Sequence, residues 1–193
     1  MIEFYDAVYR ANPEKWGGGA RDEFAYQSIK PFMSDPASLL DLGCGNGHTL
    51  RYFMDRWPET DFYGVDLSKV ALEIAHKKVP GAFLTGTLDL IPRVNVITML
   101  GVLEHFEDLS GVREVADHLS PAGILYIEVP NCLSYSNSKE EGFRKTYGAG
   151  RSGQMEWHLT RLTWETTLLK YGLKIVKSLT GKNPAWEFAW ILQ

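Results

Sequence analysis

Short apolar runs alternate with amphipathic stretches along most of the chain, and this alternation predicts both strands and helices. The predicted strands are residues 39–42, 61–66, 82–85, 94–100, 123–131, 173–176 and 186–192. The predicted helices between them are residues 49–57, 69–78, 111–119 and 160–171. Alternation of this kind is typical of an open, mostly parallel sheet with helices on both faces. The pattern therefore predicts a doubly wound α/β fold.

Residues 1–38 precede the first strand and contain two further predicted helices. Phe4, Tyr5, Val8 and Tyr9 recur at helical spacing, and a second helix is expected at residues 20–32. Asn12-Pro13 and three consecutive glycines separate the two. The aromatic residues of this segment suit either simple packing or a contact with a ligand.

Composition narrows the class of protein. The chain has 193 residues, 45% of them apolar, which suits one domain with a sizeable core. A net charge of −4 without a basic run disfavours nucleic acid as the partner. Two cysteines form no disulfide framework, which favours the reducing cytoplasm. No apolar run has the length of a membrane span, and the first ten residues do not resemble a signal peptide.

The stretch Leu39-Leu40-Asp41-Leu42-Gly43-Cys44-Gly45-Asn46-Gly47-His48-Thr49-Leu50 predicts a strand, a glycine turn and the start of a helix. Glycines allow a sharp turn and the close approach of a ligand. The spacing differs from the G-x-G-x-x-G of dinucleotide-binding proteins, because His48 stands where the third glycine would fall. Asp41 would repel a pyrophosphate but suits a ligand with an ammonium or sulfonium charge.

Asp66 ends the second predicted strand about 20 residues beyond the glycine turn. Nucleotide-binding α/β units place a ribose-binding carboxylate at this position. Its two oxygens could accept from vicinal hydroxyl groups. The alternative is that Asp66 and Ser68 cap the following helix without any ligand.

These residues resemble the motifs of the class I S-adenosylmethionine (SAM) dependent methyltransferases. The glycine turn is similar to motif I (D-x-G-x-G-x-G), and Val102-Leu103-Glu104-His105 is similar to motif IV. Leu119-Ser120-Pro121-Ala122-Gly123 is similar to a family turn, and the likeness covers residues 39–192. It implies a Rossmann-like seven-stranded sheet with the last strand antiparallel, and residues 1–38 as a helical lid on one domain whose core is residues 39–193.

The resemblance also implies SAM as cofactor, S-adenosylhomocysteine as product and a small-molecule acceptor methylated on O or N. Many members of the family have an aspartate where this chain has Thr87, so the adenine contact is expected from Thr87 or from the backbone near Leu88. The cofactor-binding residues that the resemblance implies are Asp41, Gly43, Cys44, Gly45, Asn46, Gly47, Asp66, Leu67, Gly86, Thr87, Leu88, Leu100, Gly101 and Val102.

Two histidines are the candidate catalytic residues. His105 follows the fourth strand, and His158 ends a long polar stretch, residues 132–158, that is expected to be a loop selecting the substrate. The unperturbed pKa of histidine lies near ~6.5, so either could accept a proton from the acceptor at neutral pH. We expect His158 to contact the acceptor and His105 mainly to hold the motif IV turn.

Three alternatives remain open. A non-catalytic methyltransferase-fold binding module would keep the fold without turnover, and an NAD-dependent oxidoreductase would need a different glycine spacing. A metal-assisted RNA 2′-O-methyltransferase would need a glutamate where Gly101 stands, so no metal is predicted. The sequence leaves the acceptor and the oligomeric state undetermined.

Overall fold

The computed structural model describes residues 2–16, 18–131, 140–146, 154–180 and 187–193. The chain groups into two compact units. Unit 1 consists of Met1–Thr98 and His118–Ile124, and unit 2 consists of Met99–Asp117 and Leu125–Gln193. Within the described part of the chain, no helix is both long and apolar enough to cross a bilayer.

Six helices and nine strands are described, together with two 3-10 turns at Leu88–Leu90 and Leu103–His105. The helices are α1 (Ile2–Ala11), α2 (Ala20–Ile29), α3 (His48–Met54), α4 (Lys69–Lys78), α5 (Gly111–Ala116) and α6 (Arg161–Lys170). The strands are β1 (Ser38–Leu42), β2 (Asp61–Val65), β3 (Phe83–Thr85), β4 (Val94–Leu100), β5 (Leu119–Pro130), β6 (Gly142–Thr146), β7 (Gln154–His158), β8 (Ile175–Thr180) and β9 (Glu187–Leu192).

Seven strands form one sheet in the order β3-β2-β1-β4-β5-β9-β8. Strand β2 pairs in parallel with β1 and β3, whereas β9 runs antiparallel to both β5 and β8. The predicted Rossmann-like sheet with an antiparallel last strand is therefore confirmed. Strands β6 and β7 form a separate antiparallel hairpin.

Local chemistry explains where the helices begin. The Ser68 hydroxyl accepts from the Ala71 N–H at the start of α4, and the Thr160 hydroxyl accepts from the Thr163 N–H at the start of α6. Such caps satisfy backbone donors that have no partner within the helix. The central strands are buried as continuous apolar runs, as expected when helices cover both faces of a sheet.

Some predicted boundaries were wrong. Helix α5 ends at Ala116 instead of residue 119, and the predicted turn at 119–123 is the beginning of strand β5. Ala122 nevertheless has a left-handed φ of 61°. The stretch 132–158 is not one loop, because it contains strands β6 and β7. Of its other residues, Glu140 and Glu141 are described, whereas 132–139 and 147–153 lie outside the described part of the chain, as does the predicted strand start at Trp186.

Candidate functional site

The carboxyl ends of three parallel strands meet at one edge of unit 1. Strands β1, β2 and β3 end at Leu42, Val65 and Thr85 in matching register. The glycine turn, Asp66-Leu67 and Gly86-Thr87-Leu88 follow these ends directly. Ligands of open α/β sheets bind outside this edge. Asp41, the second-last residue of β1, lies at the same edge. The fold thus brings together eleven of the fourteen predicted cofactor residues.

The backbone amides of the glycine turn are bonded within the protein. The N–H groups of Gly43 and Cys44 donate to the Val65 carbonyl at 2.7 and 3.1 Å, and the Gly47 N–H donates to the Cys44 carbonyl at 2.9 Å. The Gly45 N–H donates to Oδ2 of Asp66 at 2.8 Å. A pyrophosphate cradle needs such amides to point at the ligand. This turn between strand β1 and helix α3 therefore offers few donors to an anion.

Two glycines of the turn are required by what lies beside them. A Cβ at Gly45 would clash with the Tyr9 hydroxyl oxygen, so only glycine fits at this position. A Cβ at Gly47 would press on Ala75 and Val79 at 3.2 Å. Both glycines have positive φ. Gly45 thus faces helix α1, whereas Gly47 serves the packing of the turn on helix α4.

Asp41 is a buried carboxylate, 2% exposed, beneath the glycine turn. The Thr98 hydroxyl donates to its Oδ1 at 2.7 Å. Burial raises the pKa of Asp41 to about 7; the Thr98 hydrogen bond opposes this shift, and the negative charge of Asp22 adds to it. A cation bound nearby would favour the ionised form. Asp41 would thus be more fully ionised with a positively charged ligand beside it than without one.

Asp66 is held by the backbone on both sides. Its Oδ2 accepts from the Gly45 N–H and its Oδ1 accepts from the Ser68 N–H, each at 2.8 Å. Burial raises the pKa of this carboxyl, while those two hydrogen bonds oppose the shift. Each carboxylate oxygen has a second acceptor site, so vicinal hydroxyls can still be accepted. The neighbouring Leu67 is 56% exposed, and its contact with a cofactor stays a prediction.

Thr87 has a local role in the structure. Its hydroxyl accepts from the Asp89 N–H and donates to the Asp89 carboxylate at 3.0 Å, which caps the 3-10 turn Leu88–Leu90. Asp89 itself is exposed. The side chain of Thr87 is thus engaged locally, while a contact from Thr87 or the Leu88 backbone to a ligand stays a prediction.

Unit 2 contains the other three predicted cofactor residues, Leu100, Gly101 and Val102. Leu100 is the last residue of strand β4, and the other two follow it directly. Gly101 has a φ of 69° and donates its N–H to the Glu128 carbonyl at 2.8 Å. The 3-10 turn Leu103–His105 comes next and packs against strand β7. The turn is therefore fixed by its own backbone and by the β6–β7 hairpin.

The two candidate histidines differ in their surroundings. His105 donates from Nδ1 to the Met155 carbonyl at 2.9 Å, and its Nε2 lies 3.8 and 3.9 Å from the buried carboxylates of Glu104 and Glu156. His158 ends β7 and is 1% exposed. Burial lowers its pKa, so it is a neutral proton acceptor at neutral pH. The catalytic roles of both residues stay predictions.

Two polar residues of unit 1, Asp22 and Thr98, were not predicted to belong to the site. Asp22 accepts from the Thr49 hydroxyl at 2.9 Å and from the Gly19 N–H at 3.0 Å, which ties helix α2 to the start of α3. Thr98 reads as an ordinary β-branched strand residue in the sequence, and Asp22 as an ordinary acid in a first helical turn. Only the tertiary structure places both beside Asp41. Among the described residues, no three metal-binding side chains are grouped to hold an ion.

The strand order and a glycine turn flanked by acidic residues define the class: a Rossmann-like methyltransferase fold. Residues 19–178 match the profile of a family described as "Methyltransferase domain". The match covers most of the chain, so the protein belongs to this methyltransferase family.

Two curated proteins illustrate the relationship. The chain is 30% identical over 122 residues to trans-aconitate 2-methyltransferase of Azoarcus sp. (strain BH72), covering 60% of this chain and 47% of that protein. It is 30% identical over 135 residues to dTDP-4-amino-2,3,4,6-tetradeoxy-D-glucose N,N-dimethyltransferase of Saccharopolyspora spinosa, covering 65% and 53%. The chain thus spans about half the length of these relatives.

Solved structures share the fold at low identity. Burkholderia thailandensis 1,6-didemethyltoxoflavin-N1-methyltransferase, with 1,6-didemethyltoxoflavin and S-adenosylhomocysteine bound, has a TM-score of 0.75 at 16% identity, covering 99% of this chain and 85% of that one. The sugar N-methyltransferase KedS8 from Streptoalloteichus sp ATCC 53650 has a TM-score of 0.70 at 20% identity, covering 99% and 93%. These likenesses concern the fold alone.

Proposed function

We propose that this protein is a SAM-dependent methyltransferase that acts on an O or N atom of a small-molecule acceptor. One observation carries the proposal. The amides of the glycine turn are bonded internally, while the carboxylates of Asp41 and Asp66 remain beside it. That arrangement suits a nucleoside with a cationic group and opposes the pyrophosphate of a dinucleotide. The family membership and the methyltransferase activities for which the related proteins are named support the same activity.

Each residue of the site has a proposed role. Asp66 would accept from the ribose hydroxyls, Leu67 would cover the adenine, and Asp41 would favour the positive end of the cofactor through the turn. The cofactor supplies a methyl group already activated by a positively charged sulfur. The protein then has mainly to align the acceptor and to exclude water. His158, kept neutral by burial, would receive a proton where the acceptor has to lose one.

We further propose that the protein works in the cytoplasm on metabolites, without nucleic acid or membrane as partner. A net charge of −4 without a basic run supports the first exclusion. We also propose that residues 1–38 form a lid on one methyltransferase domain. Within unit 1, helix α1 packs on α4 and α2 packs on α3, next to the glycine turn.

Calorimetry with S-adenosylhomocysteine tests the proposal, with NAD as the matched control ligand. We expect S-adenosylhomocysteine to bind and to raise the melting temperature, and NAD to do neither. Turnover is then scored as release of S-adenosylhomocysteine from SAM across a panel that includes trans-aconitate and amino sugars. Absence of cofactor binding would contradict the proposal. Binding without turnover on any acceptor would favour a non-catalytic module.

A further inference from the structure

Asp6 joins the N-terminal helix to the segment that follows Asp66. Its Oδ1 accepts from the Ser68 hydroxyl at 2.6 Å and from the Val70 N–H at 3.4 Å. The side chain is only 17% exposed, and Arg10 lies 3.6 Å from its other oxygen. The hydrogen bond to Ser68 is the main cause that lowers the pKa of Asp6. Asp6 is therefore an ionised acceptor at neutral pH.

Ser68 is fully buried, and its hydroxyl and backbone N–H make three hydrogen bonds with different partners. Its hydroxyl donates to Asp6 and accepts from the Ala71 N–H at 3.1 Å, and its backbone N–H donates to Oδ1 of Asp66. A hydroxyl has a single proton, so its direction is decided by the acceptor that takes it. Asp6 thereby fixes the Ser68 side chain and the backbone beside it.

Asp66 depends on that backbone for its orientation. The Ser68 N–H holds one carboxylate oxygen, and the Gly45 N–H holds the other. The plane of the carboxylate, and hence the direction of its remaining acceptor sites, follows from these two donors. A shift of Ser68 would rotate the carboxylate relative to the glycine turn.

We infer that Asp6 is a positioning residue for cofactor binding, acting through Ser68 on the ribose-binding carboxylate of Asp66. The inference rests on the proposed function, because it assigns Asp66 to the ribose of SAM. It gives helix α1 a role beyond covering the site: a side chain 60 residues away in the sequence sets the geometry of the ribose contact.

The N-terminal segment offers a matched control in Glu14. Its carboxylate lies 3.0 Å from Nζ of Lys78 and 2.6 Å from Nε2 of His48, so it also ties the segment to the rest of unit 1. It touches neither Ser68 nor Asp66 in these contacts. An effect that arises from general loosening of the segment would appear in Glu14→Ala as well as in Asp6→Ala.

The experiment measures the dissociation constant of S-adenosylhomocysteine by calorimetry in five variants and the wild type. We expect Asp6→Ala to weaken binding about three- to tenfold, the effect of one lost hydrogen bond. Asp6→Asn keeps an acceptor oxygen for Ser68 and should recover most of the loss. Glu14→Ala should bind within about twofold of the wild type. In an Asp66→Ala background, Asp6→Ala should have no further effect, because the two residues act as one unit.

The melting temperature of each ligand-free variant separates this role from a structural one. A purely structural Asp6 would lower the melting temperature and weaken binding equally in the presence and absence of the Asp66 carboxylate, which would overturn the inference. If the wild type binds S-adenosylhomocysteine and Asp6→Ala binds it with unchanged affinity, the inference is also overturned. A wild type that fails to bind S-adenosylhomocysteine overturns the proposed function, and the inference with it.

Discussion

The affinity for S-adenosylhomocysteine should fall as the pH is lowered from about 8 to about 5, because Asp41 takes up a proton in this range. Burial raises its pKa to about 7 in the ligand-free protein. A bound ammonium group lowers the pKa of a nearby carboxyl, so the complex holds fewer protons than the free protein. Proton uptake therefore opposes binding, and binding is favoured at high pH.

The size of the effect follows from the pKa of about 7. The ionised fraction of Asp41 is about one half at pH 7, about one tenth at pH 6 and about one hundredth at pH 5. If only the ionised form binds well, the apparent affinity falls by these factors, to about a hundredfold weaker at pH 5. At pH 7, binding should release about half a proton.

Calorimetry in buffers of different ionisation enthalpy measures both the affinity and the number of protons released. Asp41→Asn is the control, because asparagine has a similar shape and does not titrate. Besides the Thr98 hydrogen bond, the charged groups that act on Asp41 are Asp22, Arg21 and Asp66, and the pKa of Asp66 is itself raised. Any dependence of the affinity on pH that persists in Asp41→Asn therefore arises from Asp66 or from another group. An affinity that is constant between pH 5 and 8 in the wild type would refute the reasoning.

The same carboxyl affects the stability of the ligand-free protein in the opposite direction. Its pKa is raised in the folded state above the ordinary value near ~3.9 of the unfolded chain. The folded state then holds the proton more tightly between these two values. The contribution of Asp41 to the free energy of unfolding should accordingly fall as the pH rises from about 4 to about 7. Chemical denaturation of the wild type and Asp41→Asn at both ends of this range measures that contribution.

Three further substitutions test the site and the fold. Thr98→Val removes the donor to Asp41, so the pH at which binding is half lost should move upward in the same calorimetric series. Gly45→Ala places a Cβ against the Tyr9 hydroxyl and should lower the free energy of unfolding by about 2–4 kcal/mol. Adding Tyr9→Phe should restore part of this free energy, and a double variant no more stable to denaturant than Gly45→Ala would contradict the proposed clash. Ala122→Gly relieves a left-handed φ of 61° and should raise the melting temperature by about 2 °C. A lower melting temperature than that of the wild type would show that the backbone at Ala122 is unstrained.

The sequence by itself determined the fold class and most of the elements that build it. Strand β4 and helix α4 were predicted with their observed ends, because their apolar periodicity and the Ser68 cap are local signals. The glycine turn and Asp66 were placed at one sheet edge by the same logic, since parallel strands end on the same side. Strand β5 was shortened, because Pro121 and Gly123 suggest a turn that the observed strand includes.

Only the tertiary structure decided which groups face each other around that edge. Nothing local in the sequence connects Asp6 with Ser68, Thr98 with Asp41, or Tyr9 with Gly45, because these partners lie on elements far apart in the chain. The pKa of Asp41 depends on burial and on the neighbouring Asp22, and neither is a property of the residue itself. The hairpin β6–β7 was missed because its two strands are only five residues long and mostly polar, although Met155 and Trp157 alternate with polar residues in β7. The pairing of the two strands with each other and the contact of β7 with the turn at His105 define the hairpin.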